Sequence, residues 1–153
     1  MCGFVGVLSK QADMLGSQYI DRMTDAIRHR GPDDSGVWAD PAAGVVLGHR
    51  RLAIVDLTPA GHQPMACHTG RFIIAFNGEI YNHLDLRRQL EASGSDPAWR
   101  GHSDTETLLA GFVVWGIRGT LERCIGMFAF AVWDKQTRSL TLGRDRLGEK
   151  PLY

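Results

Sequence analysis

Met1-Cys2-Gly3-Phe4-Val5-Gly6 opens the chain, and the role of Cys2 decides how the rest is read. Gly3 to Leu8 is a short apolar run that predicts a buried strand. Cys2 therefore stands at the mouth of that strand. Initiator methionine is removed ahead of small second residues, which predicts a mature chain beginning with Cys2. Thiol and α-amine then sit on adjacent carbons. An α-amine titrates at about 7.7–8.0 and a free thiol at about 8.5, so near neutral pH the amine is substantially neutral and can serve as base toward the thiol. An N-terminal threonine is activated by its own amine in the same way. A lone cysteine is more often a small packed hydrophobe, so the decision rests on what accompanies it.

The next informative stretch is Phe76-Asn77-Gly78-Glu79-Ile80-Tyr81-Asn82, behind a strand predicted over Arg71–Phe76. Asn-Gly by itself signals a hairpin turn. The chemical alternative is an oxyanion site made by the Asn77 side-chain amide and the Gly78 backbone N–H. Asparagine donates without bringing a charge, and glycine lets the backbone come close. Between the two stretches, Ile20, Met23 and Ile27 predict a helix over Ser17–Arg30, with Ser17 as N-cap and Gly31-Pro32 as its stop. A strand is predicted over Val45–Val55, followed by a loop holding Pro59, Gly61 and Pro64. Asn82 is positioned to cap a helix through Leu90, and Ser103-Asp104-Thr105-Glu106 is a capping box opening a helix to about Trp115. Met127–Trp133 and Ser139–Arg144 read as a hairpin, with Trp115 and Trp133 in the core. Strands at both ends and helices between them predict one α+β layered sandwich.

Composition narrows the function. The 153 residues are 44% hydrophobic, with 17 Lys+Arg against 17 Asp+Glu. That excludes disorder and argues against a general nucleic-acid or membrane-surface binder. No apolar run reaches the roughly 18–20 residues of a membrane span, and the N-terminus has no signal-peptide pattern. Cys2, Cys67 and Cys124 form no C-x-x-C pair, which points to a reduced, cytoplasmic setting with Cys67 and Cys124 as packing or surface residues. The six histidines show no H-x-x-x-H or H-E-x-x-H spacing, so no metal is expected. Asp33-Asp34 and Asp134 read as turn formers.

Seven motifs then occur in order. They are the opening Met1–Gly6, Arg28-His29-Arg30-Gly31-Pro32-Asp33, His49–Asp56, Asn77–Asn82, Ser103–Glu106, Gly126–Ala131 and Gly143-Arg144-Asp145-Arg146. Together they resemble the N-terminal glutaminase domain of glutamine-hydrolysing asparagine synthetases, within the class II glutamine amidotransferases, over essentially the whole chain. The resemblance implies a four-layer αββα sandwich of the N-terminal-nucleophile (Ntn) hydrolase fold. It implies that Cys2 attacks the side-chain amide of L-glutamine, forming a thioester and releasing ammonia, and that water then gives glutamate. Arg51 would hold the substrate α-carboxylate, a task suited to a guanidinium fork, and Leu52, Ala53, Ile54 and Val55 would line the pocket. Asp104 and Glu79 would receive the α-ammonium, with Asp104 kept ionised by its place in a first helical turn. Arg28-His29-Arg30 would brace the site.

The family's other half is an ATP- and Mg-dependent synthetase domain. No S-G-G-x-D-S signature or Walker A loop is present here, and Ser93-Gly94-Ser95-Asp96 is too short a match. The chain therefore reads as a glutaminase domain, residues 1–153, cut from a longer protein, with no cofactor of its own. Its partners would be glutamine and the C-terminal synthetase domain, and a homodimer is compatible with the resemblance. Two other readings stay open. One is an amidotransferase acting on a sugar acid in surface-polysaccharide assembly. The other is a non-catalytic Ntn-fold interaction module, which would be expected to have lost at least one of Cys2, Arg51, Asn77, Gly78 or Asp104.

Overall fold

The computed structural model describes residues 1–10, 17–95 and 97–153. Its strands form two antiparallel sheets. Strands β1 (Gly3–Leu8), β2 (Asp34–Asp40) and β3 (Val45–Arg51) are ordered β1-β3-β2, and β4 (Met65–Ala66), β5 (Phe72–Ile80), β6 (Gly126–Asp134) and β7 (Ser139–Arg144) are ordered β4-β5-β6-β7. The helices are α1 (Ser17–Ala26), α2 (His83–Ala92) and α3 (Asp104–Arg123).

The period-two alternation of strands explains the layering. On β5, Phe72, Ile74, Phe76 and Ile80 point one way and pack with Leu86 of α2 and Leu108, Leu109 and Phe112 of α3. Ile73 and Ala75 point the other way and meet Val45 and Leu47 of β3, together with Ala131 and Trp133 of β6. Helix α1 covers the outer face of the first sheet. Gly48 permits this contact, because a Cβ there would lie 2.4 Å from Thr24 Cγ2. The order of layers is α1, first sheet, second sheet, then α2 with α3: the αββα sandwich.

Several elements differ from expectation for identifiable reasons. Asn77-Gly78 lies inside β5, because β6 pairs with the full length of that strand, Asn77 opposite Ala129 and Gly78 opposite Phe128. Cross-strand packing overrides the turn signal. β3 ends at Arg51, opposite Asp34 at the start of β2, and Leu52–Val55 leave the sheet. β2 was not anticipated, since its half-exposed sequence mixes Asp, Ser and Gly with Val and Trp. Asp34 thus opens a strand rather than a turn. The first helix stops at Ala26, and a 3₁₀ turn over Arg28–Arg30 replaces its last turn. Asn82 stands at the N-cap of α2 without capping it; its amide donates to Arg123 O and accepts from Ile125 N, each at 2.9 Å. Helix α3 breaks at Gly116 (φ 72°, ψ 168°), close to the predicted end at Trp115. The second arm folds back so that Thr120 packs on Gly111. The β6–β7 hairpin is as predicted. The Ser17 side chain and Asp96 lie outside the described residues. Among the described residues no helix is long and apolar enough to cross a membrane.

Candidate active site

Along the facing sides of β3 and β5 the side chains change character at the same level. Val45 and Leu47 are followed by His49 and Arg51, and Ile73 and Ala75 are followed by Asn77 and Glu79. There the space between the sheets stops being core and becomes a cavity of about 100 Å³ with both polar and apolar walls, lined by residues including Cys2, Arg51, Asn77, Gly78, Glu79 and Asp104. Leu52, Ile54 and Val55 line it as well, and so does Met1. Removal of Met1 therefore enlarges it.

Cys2 enters from the end of β1. Its Sγ accepts from the Leu52 amide at 3.3 Å and lies 3.5 Å from the Leu52 carbonyl. Arg30 Nε donates to the Cys2 carbonyl at 3.0 Å, so the Arg28–Arg30 turn braces the backbone at Cys2. Gly78 must be glycine: a Cβ would sit 2.3 Å from Met127 O and 2.6 Å from Phe128 Cα. Asn77 beside it is buried.

Arg51 is buried and held by the loop that follows it, with Nη1 donating to Thr58 O at 3.0 Å and Nη2 to Asp56 O. Gly61 packs flat on that guanidinium, where a Cβ would lie 2.1 Å from Nη2. The Asp56 carboxylate fixes the loop by accepting from Thr58 N at 2.8 Å, Thr58 Oγ1 at 2.6 Å and His102 N at 2.9 Å. Burial pushes its pKa up, but these hydrogen bonds outweigh burial and hold it below the usual range. Ser103 caps α3 by accepting from Glu106 N at 3.2 Å. Glu106 does not close the box. Its carboxylate instead takes Arg100 N at 2.8 Å, Gly101 N at 3.1 Å and Arg87 Nη2 at 3.1 Å, which ties down the loop leading to Asp104.

Asp104 accepts from Ile80 N and Thr105 N, both at 2.8 Å. Its first-turn position was expected to favour ionisation. Instead burial is the largest influence and Glu79 adds to it, so the pKa is raised despite the two amides and nearby His83.

Ala53 is not brought to the cavity; its amide donates to Asp33 Oδ2 at 2.9 Å. Cys67 and Cys124 are buried packing residues, and burial pushes the Cys124 thiol up to about 11. Trp133 is in the core, and Asp134 does turn work, accepting from Gln136 N at 2.9 Å. Sequence reasoning missed Gln63, Met127 and Lys150, all of which line the cavity. His49 was also missed, although its spacing of two from Arg51 puts it on the same strand face.

A family model described as a glutamine amidotransferase domain matches residues 1–153. The chain belongs to the glutamine amidotransferase domain family. Among the relatives of this amidotransferase domain is asparagine synthetase [glutamine-hydrolyzing] 3 of Bacillus subtilis (strain 168), 44% identical over 156 residues that cover 100% of this chain and 24% of that protein. Asparagine synthetase B [glutamine-hydrolyzing] of Escherichia coli (strain K12) is 39% identical over 155 residues, covering 100% of this chain and 26% of that protein. The domain thus spans about a quarter of the length of these curated relatives. The solved glutamine phosphoribosylpyrophosphate amidotransferase of B. subtilis, complexed with ADP and GMP, superposes with a TM-score of 0.73 at 18% identity, over 95% of this chain and 37% of that one. That likeness and the αββα layering show the Ntn-hydrolase fold.

Proposed function

We propose that this amidotransferase domain hydrolyses L-glutamine through Cys2, after Met1 is removed, and feeds the ammonia to an ATP-dependent synthetase domain of the same protein. The observation that carries this is the convergence of Cys2, Asn77-Gly78, Arg51 and Asp104 on one cavity. Arg51, already fastened through two of its N–H groups, turns its remaining donors to the substrate α-carboxylate. Asp104 and Glu79 receive the α-ammonium. This grip places the side-chain amide against Cys2 Sγ.

The sulfur attacks the amide carbon and a C–S bond forms, while the carbonyl electron pair moves onto oxygen. Asn77 and the Gly78 N–H stabilise that oxyanion. The Cys2 α-amine takes the thiol proton and passes it to the departing nitrogen. The C–N bond breaks and ammonia leaves a thioester. Water, activated by the same amine, cleaves the C–S bond to give glutamate and restores the thiol.

The asparagine synthetase names of the relatives favour aspartate as the acceptor, with a sugar acid as the second reading; ATP and Mg in the synthetase half and a cytoplasmic setting belong to the same proposal on the strength of the sequence resemblance alone. The test is glutamate release by the full-length protein with a processed N-terminus. Hydrolysis that disappears when Met1 is retained behind a permanent N-terminal tag supports the amine as base. Wild-type turnover in the tagged protein overturns it. Which acid raises glutamate release in the presence of ATP, aspartate or a sugar acid, identifies the acceptor.

A further inference from the structure

Strand β4 is two residues long and pairs with Ile73 and Ile74, so among the described residues β5 soon runs out of a strand partner on that edge. At Phe76 two side chains take the place of the missing strand. Gln63 Oε1 accepts from Phe76 N at 2.7 Å, and His49 Nε2 lies 2.9 Å from Phe76 O. His49 comes from the other sheet, and Gln63 from the loop leading into β4. Gln63 Nε2 also reaches Thr105 Oγ1 at 3.4 Å, next to Asp104.

The His49 side chain is completely buried, and its Nδ1 has no partner among the described residues. Burial depresses its pKa to about 4. The ring is therefore neutral at working pH. An acceptor such as the Phe76 carbonyl requires the hydrogen on Nε2, which leaves Nδ1 bare. A buried polar atom without a partner costs stability, so the contact the ring does make is retained at some expense.

Phe76 C=O and Asn77 N–H share one planar peptide unit. Gripping the oxygen from one sheet, and the Phe76 N–H from the loop, fixes the direction in which Asn77 leaves the backbone.

We propose that His49 and Gln63 are positioning residues for the oxyanion site, a clamp across both sheets that aims the Asn77 amide at the carbonyl oxygen of the bound amide. The proposal rests on Asn77 being the oxyanion donor. His49 acts through the Phe76–Asn77 peptide, by its carbonyl, and Gln63, from the cavity wall, through the N–H of Phe76 in the peptide before it. A misplacement of about 1 Å in a reacting constellation costs on the order of 10²-fold in rate.

The experiment uses the full-length protein with a processed N-terminus. His49→Leu and Gln63→Met are expected to lower kcat for glutamine hydrolysis by roughly 10–10² while KM stays within about twofold. His49→Gln, which keeps a donor near the carbonyl, is expected to recover most of the rate. Alkylation of Cys2 by iodoacetamide forms no oxyanion, so its rate is expected to match wild type in all three variants. In an Asn77→Ala background His49→Leu is expected to add little, because the group it aims is gone.

Alkylation that slows in step with kcat, or equal losses in both backgrounds, would mean general damage and overturn the clamp. If His49→Leu fails to fold, Gln63→Met carries the same comparison in both backgrounds. Loss of rate in Asn77→Ala alone, with wild-type kcat in both clamp variants, overturns the clamp only. Undiminished kcat in Asn77→Ala overturns the oxyanion site itself.

Discussion

Asp104 and Asp145 are both buried carboxylates that accept backbone N–H groups, yet the protein treats them oppositely. Asp145, in the turn after β7, takes four amides: Phe128 at 3.2 Å, Leu147 at 3.1 Å, Glu149 at 2.9 Å and Lys150 at 3.1 Å. Burial pushes its pKa up, but the amides together win and hold it at about 2. Asp104 takes two amides, faces Glu79, and ends with its pKa raised. The turn has satisfied its charge. In the cavity, burial and Glu79 oppose the charge of Asp104 and two amides do not offset them. That difference separates scaffold from site, because a binding group with all its capacity used internally has nothing left for a ligand.

The largest break in this comparison is Cys2→Ala. Among the described residues the thiol makes two long hydrogen bonds, both to Leu52, at 3.3 and 3.5 Å. The melting temperature is therefore expected to hold while glutamine hydrolysis vanishes, as read by glutamate release and by the absence of a trapped thioester. Residual turnover at the wild-type level would remove Cys2 from the chemistry.

Asn77→Ala comes next. One oxyanion donor is worth about 10²–10³ in kcat, and KM should move little because the oxyanion exists only after attack. Single-turnover thioester formation measures it. An unchanged single-turnover rate with weakened binding would make Asn77 a ground-state contact.

How much of this was legible depends on which force sets each element. The α+β sandwich could be read from the elements themselves, whereas the four αββα layers and the convergence of Cys2, Arg51, Asn77, Gly78 and Asp104 followed from the family resemblance that the ordered motifs carry. The extension of β5 through Asn77-Gly78 was not legible, because it depends on β6, about fifty residues away in sequence. Nor was the anchoring of Arg51, which depends on Asp56 and Thr58 folding back over it. Ala53 failed as a pocket residue because Asp33 captures its amide, a contact between two loops that no pattern within either one encodes. The direction of the Asp104 shift was missed for a related reason. The helix start is visible in sequence, whereas burial beside Glu79 is a product of packing.

Asp145→Ala tests the scaffold arm. Removing a carboxylate that serves four buried amides is expected to cost about 2–3 kcal/mol of stability, by the cost of a lost hydrogen bond to a charged group. Glutamine KM should change little. The sign with pH follows from linkage: a pKa held below the unfolded value gives stability that is full above about pH 4 and fades as pH falls toward about 2. Wild type and variant should therefore differ most at neutral pH and converge in acid, as measured by urea melts across that range. A gap that persists at pH 2 would mean that lost packing, rather than the charge, explains the cost.

Asp104→Asn tests the site arm and carries the smallest effect, roughly a tenfold rise in glutamine KM, equivalent to about 1.4 kcal/mol. A neutral amide in place of the carboxylate forfeits the attraction for the α-ammonium, while kcat, which depends on Cys2 and Asn77, should fall less. The stability signature should run opposite to that of Asp145. A carboxyl whose pKa is raised on folding contributes stability below its unfolded pKa and loses that contribution as pH rises through the folded value. The advantage of wild type over Asp104→Asn should therefore shrink between acid and neutral pH, where that over Asp145→Ala grows. Glutamine should offset part of the loss in wild type, since its ammonium would supply a counter-charge to Asp104, and it should do so less in the variant. Thermal melts of the three proteins across pH, with and without glutamine, read both trends at once. If Asp104→Asn keeps wild-type KM and loses stability with the same pH trend as Asp145→Ala, Asp104 is another scaffold carboxylate, and the ammonium of the substrate must be held by Glu79 alone.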